Sequence, residues 1–213
     1  LRIASFILGV YTLSGSGSYC LGTGGVRLFL NGSDTGMQYL VRLGGVTTAT
    51  VTGTGGSPLD LGLMTGAGTY TVVATNTCGS TANQGGSATV TVLPLPTPFT
   101  IMGGGNYCSG GSGSAVGLAG SETGITYQLY RGTTAVGAAV AGDGLPVDFG
   151  AMTTAGTYTV MARDEATLCT SAMSGSADIT ISLRPSTHNV SAGGRYCAGS
   201  AGVLQLRGAR SGH

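Results

Sequence analysis

A tyrosine–cysteine pair comes round three times in this chain. Tyr19-Cys20, Tyr107-Cys108 and Tyr196-Cys197 stand 88 and then 89 residues apart (108 − 20 and 197 − 108). The intervening text repeats as well. Gly32-Ser33-Asp34-Thr35-Gly36 returns as Gly120-Ser121-Glu122-Thr123-Gly124, and Met64–Val72 returns as Met152–Val160. Gly86–Val92 returns as Gly175–Ile181. Solenoid turns run roughly 20 to 50 residues, so a period this long is one small domain. Residues kept in both copies are those a domain needs in order to fold, and repetition thereby separates scaffold from site.

Within each period the strand signals dominate. Met37–Leu43 and Ile125–Arg131 alternate faces with aromatic and branched residues, as do Thr69–Ala74 and Thr157–Ala162. Ser87–Val92 and Ser176–Ile181 close the repeats, and shorter candidates are Val26–Leu30, Ala115–Ala119, Val46–Val51, Ala135–Val140, Pro58–Leu61 and Pro146–Phe149. Gly/Ser/Thr/Asn clusters between them read as turns. About seven short strands per period predict an all-β, antiparallel Greek-key sandwich. The expected organisation is residues 1–9 as the end of an upstream segment or a docking strand, 10–93 as repeat one and 94–98 as a Pro-rich linker. Residues 99–183 form repeat two, 184–189 a second linker and 190–213 the start of a third repeat; both ends read as cut from a longer chain. Leu93-Pro94-Leu95-Pro96-Thr97-Pro98 favours extended, semi-rigid geometry, whereas the second join keeps only Pro185 and is expected to be looser.

Charge excludes several classes of function. Charged residues are 8% of the 213, all nine basic residues are Arg, and the net charge is +1, which leaves no footprint for nucleic acid or an anionic membrane. No apolar run reaches 18 residues, so no membrane insertion is expected. Leu1–Val10 lacks a cleavage motif and reads as a last strand and linker of something upstream rather than a signal peptide.

Cysteine usage is regular: Cys20 and Cys78 in repeat one, Cys108 and Cys169 in repeat two. One pair per domain, without CxxC or a nearby His, predicts a structural disulfide in each repeat and not a zinc site. Each would close a loop of about 60 residues, worth ~4 kcal/mol in the chain-entropy model. Cys197 opens the third repeat, its partner expected beyond His213 or in another molecule. Disulfides imply an oxidising compartment, outside the cell or in a periplasm.

The Tyr-Cys opening, the Gly120–Tyr130 segment, the Ala-Gly-Thr-Tyr-Thr-Val segment and the Pro-Leu-Pro-Thr-Pro linker resemble tandem immunoglobulin-like repeats. Such repeats occur in large secreted surface proteins and adhesins of gliding-type bacteria, exported by a type 9 route. The resemblance spans roughly residues 10 to 213 and implies a β-sandwich fold, an extracellular, cell-surface location, and an adhesive or spacer role. The chain departs from an antibody domain in having no Trp, and in Cys78 lying eight residues after Tyr70. The bond in each repeat is accordingly expected to pin loops at one end of the sandwich. Tyr70 and Tyr158 are candidate corner tyrosines whose hydroxyls bond backbone.

Catalytic chemistry finds little footing, and no catalytic, cofactor-binding or metal-ligating residue is assigned. His188 and His213 have no equivalents in the two full repeats. Asp143, Asp148 and the Asp164-Glu165 pair read as loop acids, and only Asp148 has an acidic counterpart, Asp60. The glycine-rich segments Gly103-Gly104-Gly105 and Gly110–Ser114 precede no helix and no Lys, which excludes a phosphate loop. Asn31 and Asn189 fit glycosylation patterns. Seven of nine tyrosines recur by repetition and are expected to pack; Tyr11 and Tyr130 do not, and Tyr130 with Arg131 is the best anchor for a glycan. The expectation is a non-enzymatic structural or adhesive segment, a stalk or filament unit, that associates with itself or neighbouring repeats. Leu1–Val10 is its candidate donor strand, and the Thr-rich strand 87–92 an edge open to pairing. The alternatives are a glycan- or protein-binding module and an accessory domain of a secreted enzyme.

Overall fold

Alternating Val/Leu/Tyr and Thr/Ser positions make strands wherever the period-2 pattern runs, and glycine clusters turn the chain between them. The computed structural model describes residues 8–187, 190–191, 197–198 and 205–206. The first half carries β1 (Leu13–Ser14), β2 (Gly17–Cys20), β3 (Val26–Leu30), β4 (Gln38–Leu43), β5 (Val46–Thr52), β6 (Leu59–Met64), β7 (Gly68–Thr75), β8 (Thr81–Asn83) and β9 (Ala88–Leu93). The second carries β10 (Ile101–Gly103), β11 (Gly105–Cys108), β12 (Ser114–Leu118), β13 (Ile125–Arg131), β14 (Thr134–Ala141), β15 (Val147–Met152), β16 (Gly156–Asp164), β17 (Thr170–Ala172) and β18 (Ala177–Ser182). Beyond them β19 (Val190–Ser191) pairs antiparallel with β20 (Gln205–Leu206).

Both halves use one topology. A three-stranded sheet, β1-β3-β6 or β10-β12-β15, faces a larger one, β2-β9-β7-β4-β5 or β11-β18-β16-β13-β14. β8 and β17 pair with the ends of β7 and β16. The pairing is antiparallel except that β2 runs parallel to β9 and β11 to β18. Those two strands escape the alternation pattern, because their Gly-, Ser- and Cys-containing sequences lack it. β2 takes its place by pairing with the far edge of β9, a tertiary event invisible in local pattern.

Each sandwich buries its own core. In the first, Leu28, Leu30, Leu59 and Leu61 face Tyr39, Val41, Tyr70, Val72 and Val90 across the sheets. In the second, Val116, Leu118 and Val147 face Tyr127, Leu129, Tyr158, Val160 and Ile179. The repeated tyrosines Tyr39, Tyr70, Tyr127 and Tyr158 are among the largest fully buried side chains, and each hydroxyl finds a partner, as burial of a phenol requires.

The disulfide pattern corrects the sequence expectation. Cys20 bonds Cys169, with Cα atoms 5.6 Å apart and a sequence separation of 149 residues. Neither Cys20–Cys78 nor Cys108–Cys169 forms; Cys78 and Cys108 are exposed thiols. Register gives the reason. Cys20 lies opposite Leu93 at the exit of β9, and β9 meets β7 near its start, Gly68 against Val90. Cys78 follows the other end of β7, some ten residues up the sheet, or roughly 30 Å at ~3.3 Å per residue. A disulfide tolerates Cα separations only up to about 7 Å. The bond therefore pins no loops within one repeat: it joins the exit end of the first sandwich to the β16–β17 turn of the second. His188, His213, Asn189, Tyr196 and residues 1–7 of the candidate donor strand lie outside the described residues.

Candidate functional site

The Gly-Ser-Asp/Glu-Thr-Gly motif is a structural joint. It forms the β3–β4 and β12–β13 loops and fastens the following β5–β6 and β14–β15 loops. Tyr39 Oη accepts the Asp34 amide at 2.8 Å, and Tyr127 Oη accepts the Glu122 amide at 2.9 Å. Burial raises the pKa of both phenols, the neighbouring amide opposing the shift. Ser33, fully buried, accepts the Thr54 amide at 3.1 Å. Ser121 donates to Leu145 O at 2.6 Å and accepts the amides of Asp143 at 3.2 Å and Gly144 at 3.3 Å. The backbone comes so close that a Cβ at Gly53 would stand 2.1 Å from Asp34 O, and one at Gly142 2.2 Å from Glu122 O.

Most singled-out residues are absorbed by such local roles. Tyr70 Oη donates to Gly66 O at 2.9 Å, and Tyr158 Oη to Thr154 O at 2.8 Å, each reaching four residues back. Tyr19 Oη donates to Thr65 O at 2.5 Å, and Tyr107 Oη to Thr153 O, tying β2 and β11 to the turns after β6 and β15. Asp60 and Asp148 each accept the amide two residues on, at 2.8 Å from Gly62 and 2.7 Å from Gly150. Asp60 also pairs with Arg27 on the surface. Asp143 accepts the Leu145 amide. Asp164 accepts the amides of Ala166 and Thr167, which hold its carboxyl below the usual range, and so shapes the turn that delivers Cys169. Among the described residues no three His, Cys, Asp or Glu side chains converge on a metal position.

Tyr11 is explained by structure although repetition does not reach it. Its ring packs over Gly32 and meets Tyr39 edge-on, with centroids 6.4 Å apart, and its hydroxyl donates to Asp34 Oδ1 at 2.7 Å. The carboxylate, with smaller help from desolvation, pushes the Tyr11 pKa up to about 12. In the second sandwich Phe99 packs over Gly120 in the same place, so only the hydroxyl is lost there.

Tyr130 remains. It sits on the outer face of the β14-β13-β16 sheet, opposite Ala135 and Thr159. Two shallow depressions flank it. One, of about 330 Å³, is lined by Thr126, Gln128, Met161, Arg163 and Glu165 as well as Tyr130. The other, of about 410 Å³, includes Thr133, Thr159, Met161 and Met173. Met161 is 39% exposed between them. Arg131 does not join this face: successive strand residues point oppositely, and its side chain runs beside Gly156. The cation that shares the face is Arg163, whose place a sequence reading misses because it comes from the partner strand, opposite Thr126. At the position of Tyr130 the first sandwich carries Arg42.

Comparison with known proteins adds fold-level likeness only. No family model matches the chain, and no curated protein matches it. Among solved structures, a Ca²⁺-stabilised, ice-binding adhesin of an Antarctic bacterium aligns over 86% of this chain at 19% identity and a TM-score of 0.46. This chain spans about half of that one (51%). Murine CEACAM1b aligns over 80% of this chain and 99% of its own, at 12% identity and a TM-score of 0.34. The fibronectin(III)-like modules of Clostridium thermocellum CbhA align over 84% and 100%, at 13% identity and 0.36. The strand order itself carries the fold: two immunoglobulin-like β-sandwiches in which a short strand pairs parallel with the last.

Proposed function

We propose that this chain is a non-enzymatic, extracellular structural and adhesive segment, a stalk or filament unit built from tandem sandwiches on a bacterial surface. The observation that carries the reading is the Cys20–Cys169 bond across the Pro-rich linker. A covalent tie across this joint suits a stalk, because it limits bending and holds the sandwiches together if one opens under load. Pro96 is buried and Thr97 bonds Glu122 through both its amide, at 3.0 Å, and its hydroxyl, at 2.6 Å, so the linker is held on the second sandwich. A disulfide also suits an oxidising, extracellular setting. Export by the type 9 route of gliding-type bacteria belongs to the same proposal.

Imaging of the oxidised and reduced protein tests it. Extended particles of fixed length when oxidised, bending after Cys20→Ser, are expected. Equal flexibility in both would remove the stalk reading. A second reading has its own observation: the Tyr130 face, with an aromatic ring, a thioether, an arginine and a glutamate, has the composition of a glycan- or protein-binding patch. Tyr130→Ala would then abolish binding to a glycan array and leave particle shape unchanged.

A further inference from the structure

The three-stranded sheets of the two sandwiches share one pairing pattern but carry inverted side-chain sizes on their outer faces. Phe29 lies opposite Asp60 as Gly117 lies opposite Asp148, and Arg27 lies opposite Leu63 as Ala115 lies opposite Ala151. The first face rises, with Phe29 37% and Leu63 55% exposed on neighbouring strands. The second falls away. A hollow of about 290 Å³ opens over Gly117, walled by Met102, Ala115, Pro146 and Asp148. A side chain at Gly117 itself could not fill it, because a Cβ there would stand 2.6 Å from Val147 O. The inversion runs the other way on the adjoining strand, where β1 has Ser14 and β10 has the exposed Met102. Charge follows the same division. Arg27 holds Asp60 through Nη1 alone, which leaves other donors of its guanidinium fork. Asp148 is exposed beside the hollow and holds the Gly150 amide; among the described residues no cation pairs with it, because Ala115 stands where the first sandwich has Arg27.

We propose that the Phe29 face of one copy of this chain docks into the Gly117 hollow of another, with Arg27 meeting Asp148 at the rim. This deepens the filament reading and rests on it for its purpose, while the fit rests on the two faces themselves. The occupant is a second copy because knob and hollow correspond position by position in size, in apolar character and in charge, and a net charge of +1 leaves little repulsion between copies. A cavity of about 150 Å³ already holds a benzene ring, so a hollow of this size admits a phenyl side chain. The contact is heterologous. Knob and hollow lie on different sandwiches, so each docked copy still offers one of them and additions continue. A single contact of this kind is small and weak, and linked contacts between chains running side by side reinforce one another.

The test follows the whole chain, its thiols alkylated to exclude cross-linking, by sedimentation velocity from ~10 μM to ~1 mM, the range in which weak contacts form. Mass that rises with concentration is expected. Phe29→Ala removes the knob and Ala115→Leu fills the hollow, and each should weaken association by ~10-fold or more. Both positions face solvent, so both variants should melt as the parent does, which separates lost docking from lost folding. Asp148→Asn should weaken association by about 2- to 5-fold at low salt and by less at high salt. Mixing F29A with A115L protein should restore association and stop it at a one-to-one pair, because the mixture holds one knob and one hollow. A parent that stays monomeric, A115L protein that associates as well as the parent, or a mixture that stays monomeric would each overturn the proposal. A parent that closes into two-copy pairs, with the variants behaving as expected, would keep the contact and sink the filament reading.

Discussion

Ser121→Ala measures how much one hydroxyl contributes at the loop joint, and Ser33→Ala is its built-in control. A hydroxyl has one proton and two lone pairs, and Ser121 uses all three, on Leu145 O, Asp143 N and Gly144 N. Its counterpart Ser33 has one such bond, from the Thr54 amide. A neutral hydrogen bond contributes about 1 kcal/mol net, less for the two longer contacts of Ser121, which gives about 2 kcal/mol for S121A and about 1 for S33A. In a sandwich of this size 1 kcal/mol moves Tm by roughly 4–8 °C, so the second sandwich should melt about 8–16 °C lower in S121A, and the first about 4–8 °C lower in S33A. Hydrogen exchange read by peptide assigns each loss to its sandwich, and the Asp143 and Gly144 amides should lose protection in S121A at temperatures far below melting. Equal shifts in the two variants, or unchanged exchange at residues 143–144, would refute the reasoning.

Three further outcomes follow from the same geometry. Tyr11 should ionise near pH 12 in an ultraviolet titration. Because its folded pKa lies above the unfolded value near 10, the stabilisation it brings is complete below about pH 10 and lost as pH rises toward 12; Asp34→Asn should bring the Tyr11 transition down and flatten that loss. Gly142→Ala sets a Cβ 2.2 Å from Glu122 O, a backbone atom that has no easy escape, and should destabilise the second sandwich by about 3 kcal/mol or more in denaturant unfolding, whereas an exposed control such as Ala139→Ser should fall within about 0.5. Arg27→Met should change stability by less than about 0.5 kcal/mol, since both partners of the Arg27–Asp60 pair are half exposed.

Strands with clear alternation are legible in the amino-acid order. Val26–Leu30 is placed to the residue, and β4, β5, β7, β9 and their counterparts to within one or two, because side-chain period 2 is a local property. The buried tyrosines are legible too, since a ring needed by the core recurs wherever the core recurs. What is not legible depends on contacts distant in sequence. β2 and β11 exist only because an edge of β9 or β18 accepts them. The Tyr130 face takes Tyr130 from one strand and Met161 and Arg163 from its neighbour, and adjacency on the chain wrongly supplies Arg131. The cysteines show the division most clearly. Their spacing determines that two kinds recur once per period and that they serve structure. Only the tertiary structure decides the partners, because β7 carries the two cysteines of one repeat to opposite ends, while the linker brings the exit of one sandwich to the turn of the next.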